Sequence, residues 1–304
     1  MKNRIDTTLD FSFEKNSDRN FLRRELGRIS LSGVQEKFSA LVENGRFRLT
    51  REGEQGEFIL KPAPMDPTLD NRKFLPVNEF VTMRIAREVF GISTADILLC
   101  KDSTGQYVLA VKRFDIREDG GKMPQEDFAS ILGMSEAGSG NSVKYSGTYA
   151  DIAAGIRKYI AAWPPALEAF FRLVIFNYIF ANGDAHNKNF SLLRTGPEYV
   201  LSPAYDLLNT ELHLTGSDFA LTGGLSSDLV PSDIYESSGH PCHSDFEQFG
   251  RIIGLQAPRI ERIVSQFLSL PPSVAAIVES SPLPSKFQRQ YLRILKERHA
   301  RFCR

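Results

Sequence analysis

Residues 182–189 form a polar segment with the sequence Asn-Gly-Asp-Ala-His-Asn-Lys-Asn. It directly follows an apolar stretch and is too polar for a simple connection, and loops of this kind usually carry function. Asp184 and Asn189 are five residues apart, the spacing at which phosphoryl-transfer loops carry a catalytic aspartate and an amide metal ligand. The segment therefore predicts a carboxylate that accepts a hydroxyl proton, Asp184, beside an oxygen ligand for a metal, Asn189.

A second acidic residue, Asp206, ends the segment Ser-Pro-Ala-Tyr-Asp at 202–206. A hard cation between phosphate oxygens needs at least one further charged oxygen, so Asp206 fits a Mg²⁺ ligand. The residues between, 190–193 and 199–201 around Gly196-Pro197, predict a hairpin that joins the two ligands. Alone, Asp184 is more simply a turn or capping aspartate, but the pairing favours phosphoryl transfer.

The histidines do not indicate zinc. His186 has no cysteine or second histidine at zinc spacing, so we expect it to form hydrogen bonds that shape the loop or touch phosphate. The cluster at 240–243, His-Pro-Cys-His, places its soft ligands too close together for a tetrahedral site. We expect that cluster to be a surface loop.

Phosphate ligands are expected upstream. The P-loop motif is absent, so a P-loop nucleotide hydrolase is disfavoured. Residues 30–37, Ser-Leu-Ser-Gly-Val-Gln-Glu-Lys, could form an anion-binding turn, although an ordinary Ser/Gly turn is the simpler interpretation of the fragment. Lys61 ends an apolar run and needs an anionic partner if it is buried, either phosphate or Glu79 in the next helix; a solvated strand end is the alternative.

The elements that position these residues predict an α+β, bilobed fold. The first third reads as strands at 36–42, 46–50, 57–61 and 106–113, with a helix at 76–90. A long apolar stripe from Leu167 to Ile179 predicts a buried helix that leads into the polar loop, and helices are expected at 246–253, 259–268 and 286–302. We therefore expect a β-rich N-terminal lobe at 1–113 and a mainly helical C-terminal lobe at 114–304.

The composition excludes several classes. The 37 basic and 37 acidic residues balance, so no whole-chain field favours nucleic acid or an anionic membrane. Three cysteines far apart argue against a disulfide framework and for a reducing compartment. No apolar run reaches the length of a membrane span. We expect a cytoplasmic globular protein with no membrane partner.

Taken in order, several motifs resemble the HipA family of bacterial serine/threonine kinase toxins, from about Arg28 to about Thr210. The motifs are Ser-Gly-Val-Gln-Glu-Lys (32–37), Ile-Leu-Lys-Pro (59–62), Asn-Glu (78–79), Val-Lys-Arg-Phe-Asp (111–115), Pro-Gln-Glu-Asp-Phe (124–128), Lys-Tyr-x-Gly-x-Tyr (144–149), the Asp184 loop, and Pro-Ala-Tyr-Asp (203–206). The resemblance implies a protein-kinase-like fold that uses ATP and Mg²⁺.

The resemblance also implies roles for individual residues. Ser32, Gly33, Val34, Gln35, Glu36 and Lys37 would contact the nucleotide phosphates, and Lys61 would hold the α- and β-phosphates. The backbone of Lys112, Arg113 and Phe114 would bind adenine between the lobes. His186 and Asn189 would touch nucleotide and metal, and Tyr205 and Asp206 would complete the site. Gln125, Glu126 and Asp127 match as a signature, for which we expect only the start of a helix after Pro124.

Regulation and partners are implied in the same way. Ser30, with Ser32 two residues later, matches a family autophosphorylation site, and phosphate there would repel nucleotide. The pair resembles the short HipT branch, because the glycine turn lies near residue 33 without a substantial region before it. That branch implies a small HipS-like partner, a HipB-like helix-turn-helix antitoxin that alone contacts DNA, and an aminoacyl-tRNA synthetase as substrate, of the tryptophanyl or glutamyl type.

Two other functions stay open on the sequence. A catalytically silent module could use the same fold to hold an antitoxin and its DNA, although Lys61, Asp184, Asn189 and Asp206 are all present. A small-molecule or lipid kinase is the other alternative, since the fold type resembles phosphoinositide kinases as well as protein kinases.

Overall fold

The computed structural model describes residues 5–13, 36–64, 69–134 and 140–304. An antiparallel sheet of five strands forms the N-lobe, in the order β2-β1-β3-β5-β4. The strands are β1 (Phe38–Glu43), β2 (Arg46–Leu49), β3 (Phe58–Lys61), β4 (Ile97–Lys101) and β5 (Tyr107–Lys112). Asn44 and Gly45 both adopt positive φ, 52° and 79°, as the tight turn between β1 and β2 requires.

One long helix packs on this sheet. Helix α1 (Leu75–Glu88) has a proline in its first turn, where the missing N–H costs nothing. It is buried along most of its length, including the polar Asn78, Glu79 and Thr82. A short 3-10 turn at Arg72–Phe74 precedes it. The helix therefore carries Glu79 into the protein interior beside β3.

The C-lobe is mainly helical, as the sequence predicts. Its small antiparallel sheet has the order β6-β7-β8. The strands are β6 (Gln125–Asp127), β7 (Ser191–Thr195) and β8 (Glu198–Leu201), and the helices are α2 (Phe128–Ile131), α3 (Tyr149–Tyr159), α4 (Trp163–Ile179), α5 (Asp233–Ser238), α6 (His243–Ile252), α7 (Ala257–Ser265), α8 (Pro272–Glu279) and α9 (Ser285–Phe302). No helix among the described residues is long and apolar enough to cross a bilayer.

The hydrophobic interior consists of two clusters. The smaller lies on one face of the five-stranded sheet, where Leu9 and Phe13 from the N-terminal segment cover Phe38, Phe58 and Leu60. The larger runs without interruption from β5 and α1 through α4 to α9. Phe90, just after α1, stacks on Phe267 of the C-lobe with ring centroids 4.8 Å apart. The two lobes therefore share one core.

Two local predictions were wrong. Gln125–Asp127 begins no helix: it is strand β6, paired with β7, and the Asp127 side chain then caps α2 by accepting from the N–H of Ser130 at 2.9 Å. The 240–243 cluster is not a surface loop, because Cys242 is fully buried and caps α6.

Candidate active site

The polar loop is set by the end of helix α4. The helix stops at Ile179, and Ala181 turns the chain through a left-handed conformation, φ 55°, which is unusual for a residue other than glycine. The Asn182 N–H donates back to the Asn177 carbonyl at 2.8 Å, and the Thr210 hydroxyl accepts from the Gly183 N–H at 3.0 Å. The chain therefore leaves α4 sharply and brings Asp184 to the surface, where its side chain is exposed.

Asp206 has a strained backbone as well. Its φ of 57° lies in the left-handed region, which aspartate adopts more readily than most residues but still at a cost. Its carbonyl oxygen accepts a hydrogen bond from Asn182 Nδ2 at 3.2 Å, which ties it to the start of the polar loop. Upstream, the Ala204 N–H donates to Ser93 O and the Ala95 N–H to Ala204 O, so this segment is also fastened beside β4.

A buried ion-pair group links the lobes at this carboxylate. Lys61, at the end of β3, places Nζ 2.5 Å from Glu79 Oε1 and also contacts Asp206 Oδ1. Its side chain is only 4% exposed, and that of Glu79 2%. Lys37 approaches the other oxygen of Asp206, with Nζ 3.1 Å from Oδ2. Lysines from the N-lobe thus meet an aspartate of the C-lobe, and the pairing of Lys61 with Glu79 appears as expected.

The electrostatics of this group follow from its burial. Burial opposes ionisation of Asp206, but Lys37 and Lys61 outweigh it and hold the pKa of this carboxyl well below its usual value. Burial raises the pKa of Glu79, and the attraction of Lys61 only partly offsets that effect. Burial also disfavours the charge on Lys61, but the two carboxylates more than compensate and raise its pKa. The centre of the site is therefore a buried lysine held between two acidic side chains, of which Asp206 is the one whose charge the lysines stabilise.

Asn189 lies beside Asp206, as a shared metal site requires. Its Nδ2 is 3.2 Å from Asp206 Oδ2, while its Oδ1 accepts from the His186 N–H at 3.1 Å. The amide nitrogen thus faces the carboxylate, so ligation of a metal by Oδ1 requires the amide to turn. The assignment of O and N in an amide rests on its hydrogen bonds. Asp184 lies on the same loop, and within the described residues no hydrogen bond or ion pair joins its side chain to Asp206.

His186 is buried and lies against Tyr145. It is 6% exposed, and burial lowers its pKa, so the ring is neutral at pH 7. Its ring meets that of Tyr145 edge to face, with centroids 5.2 Å apart. Nδ1 is buried without a hydrogen-bond partner among the described residues.

In the connection between the lobes, two of the backbone N–H groups predicted to bind adenine already donate hydrogen bonds within the protein. The N–H groups of Lys112 and Arg113 donate to Asp96 O and Glu57 O, at 2.7 and 2.8 Å. The Arg113 side chain forms a two-pronged pair with Asp115 at 2.9 and 2.6 Å. Of the three predicted adenine-binding residues, only Phe114 has an N–H without such a partner within the described ranges.

The side chain of Tyr205 is held in place by hydrogen bonds inside the site. Its hydroxyl donates to Lys188 O at 2.8 Å and lies 2.5 Å from Ser191 Oγ, which in turn accepts from Gln125 Nε2 at 3.1 Å. Its ring lies 5.6 Å from that of Phe114. Because its hydroxyl is already bonded within the protein, Tyr205 could contact a nucleotide through its ring but not through its hydroxyl. Gln125, to which the sequence assigned no role, belongs to this network.

The other predicted phosphate ligands are only partly visible. Glu36 and Lys37 immediately precede β1, and Lys37 reaches Asp206 as described. Ser32, Gly33, Val34 and Gln35 lie outside the described residues, as do the predicted modification sites Ser30 and Ser32.

A buried polar network, which the sequence did not reveal, fixes α1 to the C-lobe. Asn78 Nδ2 donates to Asn209 O at 2.8 Å, and Asn78 Oδ1 accepts from the Asn209 N–H at 3.1 Å. Asn78 Nδ2 also lies 2.9 Å from His213 Nε2. One turn later, the Thr82 hydroxyl lies 2.8 Å from the hydroxyl of Tyr291 on α9. Glu79, between these residues in the helix, is thereby held towards Lys61.

A second buried charge group fastens the segment after Asp206. Arg298 on α9 is 2% exposed and pairs with both Glu211 and Asp218. Asp218 also accepts from His240 Nδ1 at 2.7 Å and lies 3.5 Å from Arg301. Helix α9 therefore holds the segment 207–220, which follows the candidate metal ligand Asp206.

Comparison with known proteins identifies the family of this chain. The family model described as the HipA-like C-terminal domain matches residues 29–273. The chain belongs to this family. Y4dM of Sinorhizobium fredii, which its name provisionally describes as a kinase, is 35% identical over 213 residues, 64% of this chain and 48% of Y4dM. The serine/threonine-protein kinase toxin HipA of Shewanella oneidensis is 27% identical over 230 residues, 68% of this chain and 49% of that protein.

Two solved structures show the fold. The structure of Shewanella oneidensis HipA with HipB and its operator DNA superposes with a TM-score of 0.67 at 22% identity, covering 90% of this chain and 65% of HipA. The Helicobacter pylori proinflammatory kinase CtkA gives a TM-score of 0.54 at 16% identity, covering 88% of this chain and 91% of CtkA. These matches confirm the kinase-like α+β fold. The chain spans about half the length of the curated relatives Y4dM and HipA.

Proposed function

We propose that this chain is an ATP-dependent serine/threonine protein kinase that acts as a toxin of the HipA type. The observation that carries the proposal is the meeting of Lys61, Glu79 and Asp206 between the lobes, with Asn189 beside Asp206. A strand lysine that pairs with a helix glutamate and an aspartate that holds metal are the parts by which protein kinases bind Mg²⁺ and ATP phosphates.

The donor set fits magnesium and a nucleotide. Asp206 and Asn189 offer carboxylate and amide oxygens, the ligands that a hard cation prefers. Buried side-chain polar atoms without partners among the described residues also cluster here: apart from Arg172, they belong to Asn182, His186, Asn187 and Asn209. Such atoms are rare in folded proteins, and three of these four residues belong to the polar loop that carries Asp184.

Each residue then has a chemical role. Asp184, exposed on its loop, accepts the proton of the acceptor hydroxyl. Lys61 and Lys37 would pair with phosphate oxygens, and Asp206 with Asn189 would hold Mg²⁺, which would neutralise charge on the phosphates. Phe114 contributes its N–H to adenine. ATP supplies the γ-phosphoryl group, and the protein supplies position and charge.

The test is phosphoryl transfer from γ-labelled ATP with Mg²⁺. We expect the wild-type chain to label itself or an acceptor protein, and Asp184→Asn to lower the rate by about 100-fold or more, since a positioned base contributes about 10²–10⁴. Asp228→Asn, at an exposed aspartate outside the site, is the control and should keep the wild-type rate. Equal labelling by wild type and Asp184→Asn would remove the catalytic assignment of Asp184, and no labelling by the wild type would favour a silent binding module.

We further propose regulation and partners on the family resemblance. Ser30 and Ser32 would be autophosphorylated, and phosphopeptide mapping of the labelled wild type reads this out directly. The neutralising partner would be a HipB-like antitoxin that contacts DNA, supported by the HipA, HipB and operator DNA complex of Shewanella oneidensis. A HipS-like protein would be a further partner, and the cytoplasmic acceptor would be an aminoacyl-tRNA synthetase.

A further inference from the structure

Asp184 already has one donor within the protein. The hydroxyl of Tyr145 donates to Asp184 Oδ1 at 2.8 Å. No other hydrogen bond to this carboxylate is found among the described residues, and the side chain is exposed. One oxygen of the proposed base therefore already accepts a hydrogen bond, on a side chain that solvent reaches.

The hydroxyl of Tyr145 is suited to donate a hydrogen bond and not to give up its proton. Burial raises the pKa of this phenol, and the neighbouring charge of Asp184 raises it further. The group keeps its proton across the neutral range. It can hold a carboxylate in place, but it cannot take the proton from an acceptor.

The backbone around Tyr145 is fastened to the same loop that carries Asp184. Asn187, fully buried, donates from Nδ2 to Lys144 O at 3.2 Å and to Ser146 O at 2.8 Å. On the other side, the Thr222 N–H donates to Tyr145 O at 2.8 Å. The main chain on both sides of Tyr145 is thus held, and its ring rests on His186. These contacts hold Tyr145 in one position beside Asp184, so we do not expect it to move over the acceptor position and block it.

We propose, resting on the kinase function above, that Tyr145 is a positioning residue. It fixes the rotation of Asp184 so that Oδ2 points to the acceptor hydroxyl. In the transfer, the acceptor O–H bond breaks and its proton goes to Oδ2. The acceptor oxygen bonds to the γ-phosphorus while the bond from that phosphorus to the departing ADP oxygen breaks.

The experiment compares Tyr145→Phe with Tyr149→Phe. Both remove one phenolic oxygen that bonds to the same loop, but Tyr149 bonds to the backbone oxygen of Ala185, at 3.0 Å, and not to the carboxylate. Transfer from γ-labelled ATP to myelin basic protein gives kcat and KM, a fluorescent ATP analogue gives nucleotide affinity, and thermal unfolding gives Tm.

We expect Tyr145→Phe to lower kcat about tenfold, the size of one lost hydrogen bond to a charged group, with nucleotide affinity unchanged. Tyr149→Phe should lower Tm but keep kcat within about twofold. Three results overturn the inference: an unchanged kcat in Tyr145→Phe, a faster one, which would make the tyrosine a block, or equal losses in both variants, which would indicate loop stability alone. Absence of both self-labelling and transfer to myelin basic protein by the wild type would instead refute the kinase function itself.

Discussion

Replacing Lys61 by methionine tests the buried group at the lobe boundary. The change leaves the Glu79 carboxylate, 1% exposed, without its cation. A buried ion pair broken on one side costs about 3–5 kcal/mol when the remaining charge stays ionised. Protonation of the Glu79 carboxyl removes this charge at a lower cost in free energy.

The cost of that proton follows from the ordinary pKa of glutamate. The carboxyl in the unfolded chain has a pKa of 4.5. Protonating it at pH 7 costs about 1.36 kcal/mol for each of 2.5 pH units, so the part of the Lys61→Met penalty that comes from Glu79 is limited to about 3.4 kcal/mol. At pH 6 the same reasoning gives about 2 kcal/mol. The folded variant, with the raised pKa, is most stable at acid pH and loses stability as pH rises above 4.5.

The assay is urea unfolding of wild type, Lys61→Met, Glu79→Gln and the double variant at pH 6 and pH 7. The double variant has no orphaned carboxylate, so it should regain most of the stability that Lys61→Met loses, and the pH dependence of the loss should disappear. Labelling from ATP should be absent in both variants that lack Lys61. A double variant no more stable than Lys61→Met, or a penalty equal at both pH values, would refute the reasoning.

Two further predictions concern the support of the site. Arg298→Met leaves two carboxylates without their buried partner and should lower the free energy of unfolding by about 3–5 kcal/mol, whereas Arg293→Met on the same helix breaks only an exposed pair with Glu297 and should cost less than about 0.5 kcal/mol. Equal losses in urea unfolding would contradict the role of α9. Burial lowers the pKa of His213, whose ring accepts from Asn78, so the folded protein resists protonation and stability falls as pH drops below about 6.5. In the same assay, the free energy of unfolding of His213→Gln should fall between pH 7.5 and 5.5 by about 1 kcal/mol less than that of the wild type. Identical pH profiles of the two proteins would show that His213 does not contribute to the pH dependence of stability.

The sequence predicted the parts of the fold that local patterns determine. The β1–β2 hairpin followed from Asn44-Gly45, helix α4 from its apolar stripe, and the β7–β8 hairpin from Gly196-Pro197. Strand β4 was not predicted, because Ile97–Lys101 has no alternation and depends on β5 for its partner. Helix α3 was also missed, since its small residues weaken the stripe, although Thr148 and Asp151 form a capping box that could have indicated it.

The candidate site divides in the same way. Asp184, Asn189 and Asp206 stand out in sequence by type and spacing, and Lys61 by its place at a strand end. Contacts over long distances in the chain carry no such signal: the hydroxyl of Tyr145 meets Asp184 across 39 positions, and Asn78 meets Asn209 across 131. For Tyr145, its place in the motif at 144–149 was the one available indication. Residues whose role is to orient others are found only when the chain is folded.

The core that runs from β5 through α1 into the C-lobe has a consequence for how a nucleotide would come and go. A wide rotation of one lobe against the other would expose Phe90 and Phe267 and break the hydrogen bonds of Asn78. Exchange of ATP for ADP should then proceed by movement of the segments around the cleft, with the framework staying closed. For the same reason, neither half of the chain, separated near residue 113, should persist as a folded unit by itself.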